Sequence, residues 1–350
     1  NVDTLFFTAV LSVLFVAGFV ATRMWLHIPT GRVGDSLLLA GLVALPAWAL
    51  RRFAGWSWAS ALALVLALVA VVMAGVLPTL AVLLLALGAL ALGGWITGSQ
   101  RPLAAWLAGM AVLAALVGWT LPLPVHHRPV YLLLLLSLVV LQRRTLLAQC
   151  TQLRDGWRAA VASAPRAAGW SVLVLGLASA GSWPPTMQFD DLAYHLGLPW
   201  QLMLHGRYAL DVSHQAWALA PWAGDALQAI PQVLSRAEAR GPLNLLWLVA
   251  AAGGLWRLGS LLGLTPMLRW ATLALYASLP LTTALLGGMQ TETPAVAVTI
   301  GLAVLVVDAA IPRRLLLGAL LFGLLFALKP MHGIAATPLV LWALWRERHA

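Results

Sequence analysis

Apolar residues in this chain come in long unbroken blocks with short polar breaks, not in the alternations of amphipathic helices or half-buried strands. A helix needs about 20 apolar residues to cross a bilayer, and fewer where flanking side chains snorkel or the membrane thins. Blocks of this kind lie at 5–22, 36–50, 58–77, 79–97, 103–122, 129–142, 169–183, 243–262, 270–288, 294–311, 314–328 and 333–345. No charge interrupts the stretch from Phe53 to Gln100, which is long enough for two spans, with Pro78 as the expected hinge. Some blocks are short, so the pattern predicts an all-α, polytopic membrane helix bundle of about ten to twelve transmembrane helices. It divides the chain into 1–168, N-terminal helices with a basic cytoplasmic loop, and 169–350, a second membrane module. That module carries one extracytoplasmic loop, 184–241, with interfacial helices.

Composition narrows the class further. Hydrophobic residues make up 62% and charged residues 9%, against roughly 45–50% and 25% in soluble domains. A soluble fold has too little interior to hide that much apolar surface. Cys150 is the single cysteine, so neither an internal disulfide nor a thiolate metal cluster is available. The formal charge is +10, but the arginines sit in short groups between apolar blocks. That is a topology signal and excludes a nucleic-acid partner. The chain opens at Asn1 without a methionine, so residues ahead of it are expected.

The arginines also set orientation. Arg143, Arg144, Arg154, Arg158 and Arg166 stand against the single Asp155, which marks 142–168 as cytoplasmic. Alternating outward, Arg51, Arg52, Arg101, Arg257, Arg269, Arg313, Arg314, Arg346 and Arg348 fall on the same side, whereas Arg23 and Arg32 fall outside. The outer face then receives 182–241 and the turns 288–293 and 329–333. It holds Asp190, Asp191, Asp211, Asp225 and Glu238, joined by Glu292, Lys329 and His332 from later helices. With Trp183, Trp200, Trp217 and Trp222, the outer segment reads as a folded piece on the membrane surface.

Candidate chemistry concentrates just after the block 169–183. Pro184 and Pro185 stop that helix, and Asp190 or Asp191 stands where the next begins, as an N-cap or first-turn acid. On that helix Asp191 shares a face with His195, and Asp190 with Tyr194. The segment Asp191–Leu204 is expected to lie along the outer surface. Capping is the ordinary role of such an aspartate; its place at the mouth of a bundle, facing other ionisable groups, points to chemistry.

The run from Pro184 to Tyr208 resembles the first large extracytoplasmic loop of the C-type (GT-C) membrane glycosyltransferases. In particular it is similar to the bacterial branch related to protein mannosyltransferases and aminoarabinose transferases. Asp190, Leu192, Tyr194, His195, Leu196, Pro199, Gly206 and Arg207 carry the resemblance, with Pro221 and Asp225, Glu292 and Lys329 matching later elements. It covers 169–344. It implies a multi-pass protein of the bacterial inner membrane whose active face is extracytoplasmic. The donor would be a sugar on a polyprenyl phosphate, and the acceptor is not identified. Asp190 would take the acceptor's proton as general base. Lys329, with Arg207 or His332, would meet the leaving phosphate. Asp191 and Glu292 would orient the acceptor, and Tyr194, His195 and Asp225 would bind substrate. No metal or other cofactor is expected; Mg²⁺ or Mn²⁺ on those carboxylates is the runner-up. Relatives of this kind continue past the lysine-bearing span, so the expectation is either an incomplete C-terminus or the loss of part of the active site.

Rival classes fare differently. A non-catalytic membrane subunit derived from the same scaffold, packed against a membrane-protein partner, is the main alternative. A transporter would carry charges inside several spans, whereas Arg257, Asp308 and Lys329 lie near span ends. A haem protein would carry mid-span histidines, and His27, His126, His127, His195, His205, His214 and His332 are in loops or at ends.

Overall fold

The long apolar blocks among the described residues fold as helices, broken at glycine and proline, in the computed structural model. It describes residues 10, 13–14, 16–18, 20–23, 26, 30–98, 101–209, 211–213, 222–308 and 310–348. Most of the block 5–22, together with His27, His214, Trp217 and Pro221, lies outside the described residues. The chain is 83% helix, without strands among the described residues.

The helices are α1 (Thr30–Ala54), α2 (Trp58–Ala74), α3 (Val76–Thr97), α4 (Pro102–Thr120), α5 (Arg128–Leu141), α6 (Arg143–Ser163) and α7 (Pro165–Ser179). After a π turn at Asp191–His195 come α8 (Gly197–His205), α9 (Ala223–Ser235), α10 (Arg240–Leu261), α11 (Pro266–Ser278) and α12 (Pro280–Leu286). The last three are α13 (Glu292–Val307), α14 (Arg314–Leu328) and α15 (Pro330–Arg348). Among the described residues, three helices are long and apolar enough to cross a membrane: Gly31–Ala54 within α1, α3 and α4. The pair α5 and α6, bent by 77°, makes a fourth if it is one span. Shorter apolar helices are α2, α13 and α14.

Residues 1–45 and 46–350 form two units. In the first, Ser36 Oγ bonds back to the Arg32 carbonyl at 2.8 Å, as a helical serine does. The expected division at 168 falls inside the second unit, where α7 packs on α2 and α11.

Local structure departs from the sequence reading at three breaks. The hinge between α2 and α3 is Gly75, at φ +89°, where a side chain would be strained. Pro78 instead sits in the first turn of α3, where its missing N–H costs nothing. The basic segment 142–168 is no loop: it is mostly α6, which buries Leu146, Gln149 and Val161 and leaves its arginines out. The block 270–288 is broken, because Pro280 puts Leu279 in an extended conformation between α11 and α12.

The core lies where α3, α4, α9, α13 and α14 meet, around Leu85, Leu107, Met110, Leu227 and Val298. Helices α3 and α4 approach closely: a Cβ on Gly93 would run into the Ala105 carbonyl, and one on Gly109 into the Ala89 carbonyl. Small residues permit such backbone contact between apolar helices. Arginines gather at one end of the helices in 165–346. There Arg257 pairs with Asp308 at 2.5 Å, Arg313 bonds the Ile96 carbonyl, and Arg346 bonds the Val306 carbonyl. The opposite end collects the acids.

Candidate functional site

The end of α7, the π turn, α9 and the starts of α10 and α13 build the acidic end. A buried loop turn must satisfy its backbone groups with side chains, and Arg240 does so here. It is 2% exposed and donates to the carbonyls of Leu286 and Pro184, while its Nε pairs with Glu238 at 2.8 Å. Asn244 adds hydrogen bonds to the carbonyls of Leu286, at 3.0 Å, and Gly288, at 2.6 Å. The turn between α12 and α13 is thereby clamped from α10.

Asp191 clamps it from the other side. Its carboxylate, 0% exposed, accepts the Met289 N–H at 3.0 and 2.9 Å and the Thr186 hydroxyl. These bonds tie the π turn to the turn between α12 and α13. Asp190 is different. It occupies the cap position of the π turn, in the αR conformation, and makes no side-chain cap hydrogen bond. It is half-buried and bonded to the Tyr194 hydroxyl, and this charge, with burial first, lifts that phenol to about 12. The π turn itself is closed by Leu196 N–H on the Asp191 carbonyl at 2.9 Å. Such single π turns occur often at functional sites.

His195 Nδ1 lies 2.8 Å from Asp225 Oδ1, both nearly buried. Burial opposes a charge on the His195 ring, but the hydrogen bond and charge of Asp225, helped by Asp191 and Asp190, outweigh it and raise the pKa. Burial raises Asp225 as well, against the pull of His195. Both directions say that the pair holds a proton tightly. Tyr208, stacked edge-on against Trp222 at 4.9 Å, is raised by burial and by Asp225.

Glu292 and Lys329 form a neighbouring group. They pair at 3.1 Å, and His332 Nε2 lies 3.0 Å from the Thr291 hydroxyl. Gly224, beside Asp225, packs toward Thr291 and Leu328, so the two groups adjoin through α9. Arg207 stands apart. It is exposed, and the backbone around it bonds to His126 and Leu121, not to the acids. Among the described residues no three His, Cys, Asp or Glu side chains form a metal-binding group.

An apolar cavity of about 620 Å³ runs between α4 and α14 to the start of α9, lined by Trp119, Trp222, Ala226, Leu320 and Ala327 among others. Buried near the site, without hydrogen-bond partners among the described residues, are Trp183 Nε1, Gln188 Oε1 and Thr293 Oγ1. Arg240, Asn244 and Thr186 are the positioning groups that the sequence reading missed. Arg240 had one signal: an arginine on the face where arginines are otherwise sparse needs a local partner. Asn244 and Thr186 carried none. No protein-family model, curated protein or solved structure matches the chain.

Proposed function

We propose that this chain is an integral membrane glycosyltransferase of the C-type class, with about ten to twelve spans in a bacterial inner membrane. It moves a sugar from a polyprenyl-phosphate donor to an extracytoplasmic acceptor. In the step, the acceptor oxygen or nitrogen attacks the anomeric carbon, the bond from that carbon to the phosphate oxygen breaks, and polyprenyl phosphate leaves with the electron pair. The acceptor's proton goes to Asp190. Its carboxylate is oriented by the Tyr194 hydroxyl and left half-buried, as a general base must be to reach a proton. Lys329, with His332, answers the charge growing on the leaving phosphate, and the apolar cavity at the start of α9 suits a polyprenyl tail. The observation that carries the reading is the division of labour between adjacent carboxylates: Asp191 is consumed by structure and Asp190 is not.

The Lys329–Glu292 pair favours a second reading, a non-catalytic membrane subunit, because the cation expected at the phosphate already has a carboxylate partner. Membrane vesicles carrying the chain and a radiolabelled polyprenyl-phosphate hexose separate the two. Label leaves the polyprenyl phosphate in the first reading, and this loss is abolished in Asp190→Asn. An unmodified chain that never releases label supports the subunit.

A further inference from the structure

Helix α6 shows the bundle one side and leaves another bare. Leu146 and Gln149 are buried, Trp157 Nε1 donates to Ser60 Oγ on α2 at 3.0 Å, and the Ala160 carbonyl accepts from Trp270 Nε1 on α11 at 3.2 Å. On the bare side stand Arg143, Leu147, Cys150, Arg154 and Arg158, spaced so that they share one helical face. All five are exposed, Leu147 at 68%. The positive charge there is not compensated. Arg143, Arg144 and Arg158 pair with no acid among the described residues, and Arg154 meets its neighbour Asp155 at 3.1 Å with both side chains more than half exposed. Helices α2, α3, α5, α7 and α11 pack on α6, and none of them carries Asp or Glu.

The preceding helix shows what this face adjoins. Helix α5 leaves Leu133, Leu136, Val140 and Leu141 bare, the last at 78% exposure. The chain then bends by 77° between α5 and α6, and Arg143 and Arg144 follow at once. An uncovered apolar flank thus runs into a helix that mixes leucine with arginine. Water suits the arginines of such a face and not its leucine, whereas the boundary of a bilayer suits both. We infer that α6 lies in the headgroup layer of the leaflet at the arginine end, with Leu147 and Cys150 toward the acyl chains and Arg143, Arg154 and Arg158 on anionic phosphates. Arginine stems can lie along apolar surface while their heads stay among phosphates. With four arginines and one aspartate on α6, lipids of net negative charge are preferred to zwitterionic ones. The inference rests on reading the chain as a membrane protein and needs none of the transfer chemistry.

Cys150, the single cysteine, is exposed and reports on this face without any substitution. The test is a nitroxide on Cys150 of the full chain in nanodiscs, read as the ratio of its collisions with oxygen to those with a water-soluble nickel chelate. Nanodiscs of phosphatidylcholine alone are compared with ones that also contain phosphatidylglycerol. With phosphatidylglycerol present, the ratio at Cys150 is expected to be lipid-like, close to that of Leu141→Cys in a Cys150→Ser background. Gln152→Cys, on the far side of α6, is expected to be aqueous. Omitting phosphatidylglycerol shifts Cys150 toward water, and Arg143→Gln/Arg158→Gln removes that lipid dependence. An aqueous Cys150 beside a lipid-like Leu141→Cys overturns the inference and leaves the membrane reading standing. Equal ratios in the two lipids overturn it as well, since the arginines then do not meet headgroup charge. An aqueous Leu141→Cys overturns the membrane reading and this inference together.

Discussion

Helices α3 and α4 touch through Gly93 and Gly109, where each backbone lies against a carbonyl of the other helix. The acidic end is held instead by Arg240, Asn244 and Asp191, each hydrogen-bonded to the backbone of the turn between α12 and α13. In the first region identity means size: apolar helices in an apolar surround gain from close fit, and a single methyl group spoils it. In the second, identity means donor and acceptor count, since a buried polar group left unpaired costs more than the bond it replaced. The two regions should therefore fail differently. Asp190, in the second region but not part of its clamp, should fail in a third way.

The largest expected effect is on activity. Under the proposed function, Asp190→Asn lowers sugar transfer by about 10²–10⁴-fold, with melting in detergent close to that of the unmodified chain. Transfer within threefold of normal removes Asp190 as the base. Asp191→Asn is not a matched control, because it weakens a fully buried acceptor of the Met289 N–H; it should destabilise the fold along with any activity.

Next comes Arg240→Ala, which strands the Leu286 and Pro184 carbonyls and the Glu238 carboxylate. Stranding buried acceptors in this way costs on the order of 1–3 kcal/mol, readable as a fall in melting temperature or in denaturant midpoint. A loss below about 1 kcal/mol would show that the clamp is optional. Gly109→Ala should cost about 1–3 kcal/mol by overpacking. Gly118→Ala, on the same helix with nothing within 4 Å of the added carbon, should be neutral or stabilise by up to about 1 kcal/mol. Equal effects at the two glycines would dissolve the size argument.

The smallest effect concerns pH. His195 is raised above its ordinary 6.5 and Asp225 above its ordinary 3.8, so the folded pair binds its proton more tightly than the unfolded chain does. Stability from His195 is thus complete below 6.5 and is lost as pH rises through its folded value. Asp225 acts with the same sign, starting lower. Melting temperature should therefore fall between about pH 6 and pH 8, and His195→Gln should flatten that slope. An unchanged slope in the variant would mean that the pair does not govern it.

What the sequence disclosed follows the same line between size and pairing. The uncharged run 53–100 announces α2 and α3, and the arginine groups announce an end of the molecule, because both signals are local. The burial of α9 was not legible. Asp225, Gln228, Gln232 and Ser235 make that helix look fit for a wet surface, yet all of Ala223–Ser235 is buried by α3, α4, α5, α8 and α14. Burial there is decided by partners distant in sequence, which no window of residues contains. The spacing that puts Asp190 beside Tyr194 was readable, whereas the different fates of Asp190 and Asp191 depended on where Met289 arrives from 98 positions away.

The position of α9 also sets a clock for assembly. Helices α3, α4 and α8 precede it in synthesis, so it has docking partners as soon as it emerges. Its last wall, α14, begins only about 80 residues later, a delay of several seconds at ordinary elongation rates. During that interval the nascent chain holds a half-covered, polar-striped helix against an apolar pair, open on the side that α14 will close. This is the window in which an insertase or chaperone would find a surface that the finished protein never shows.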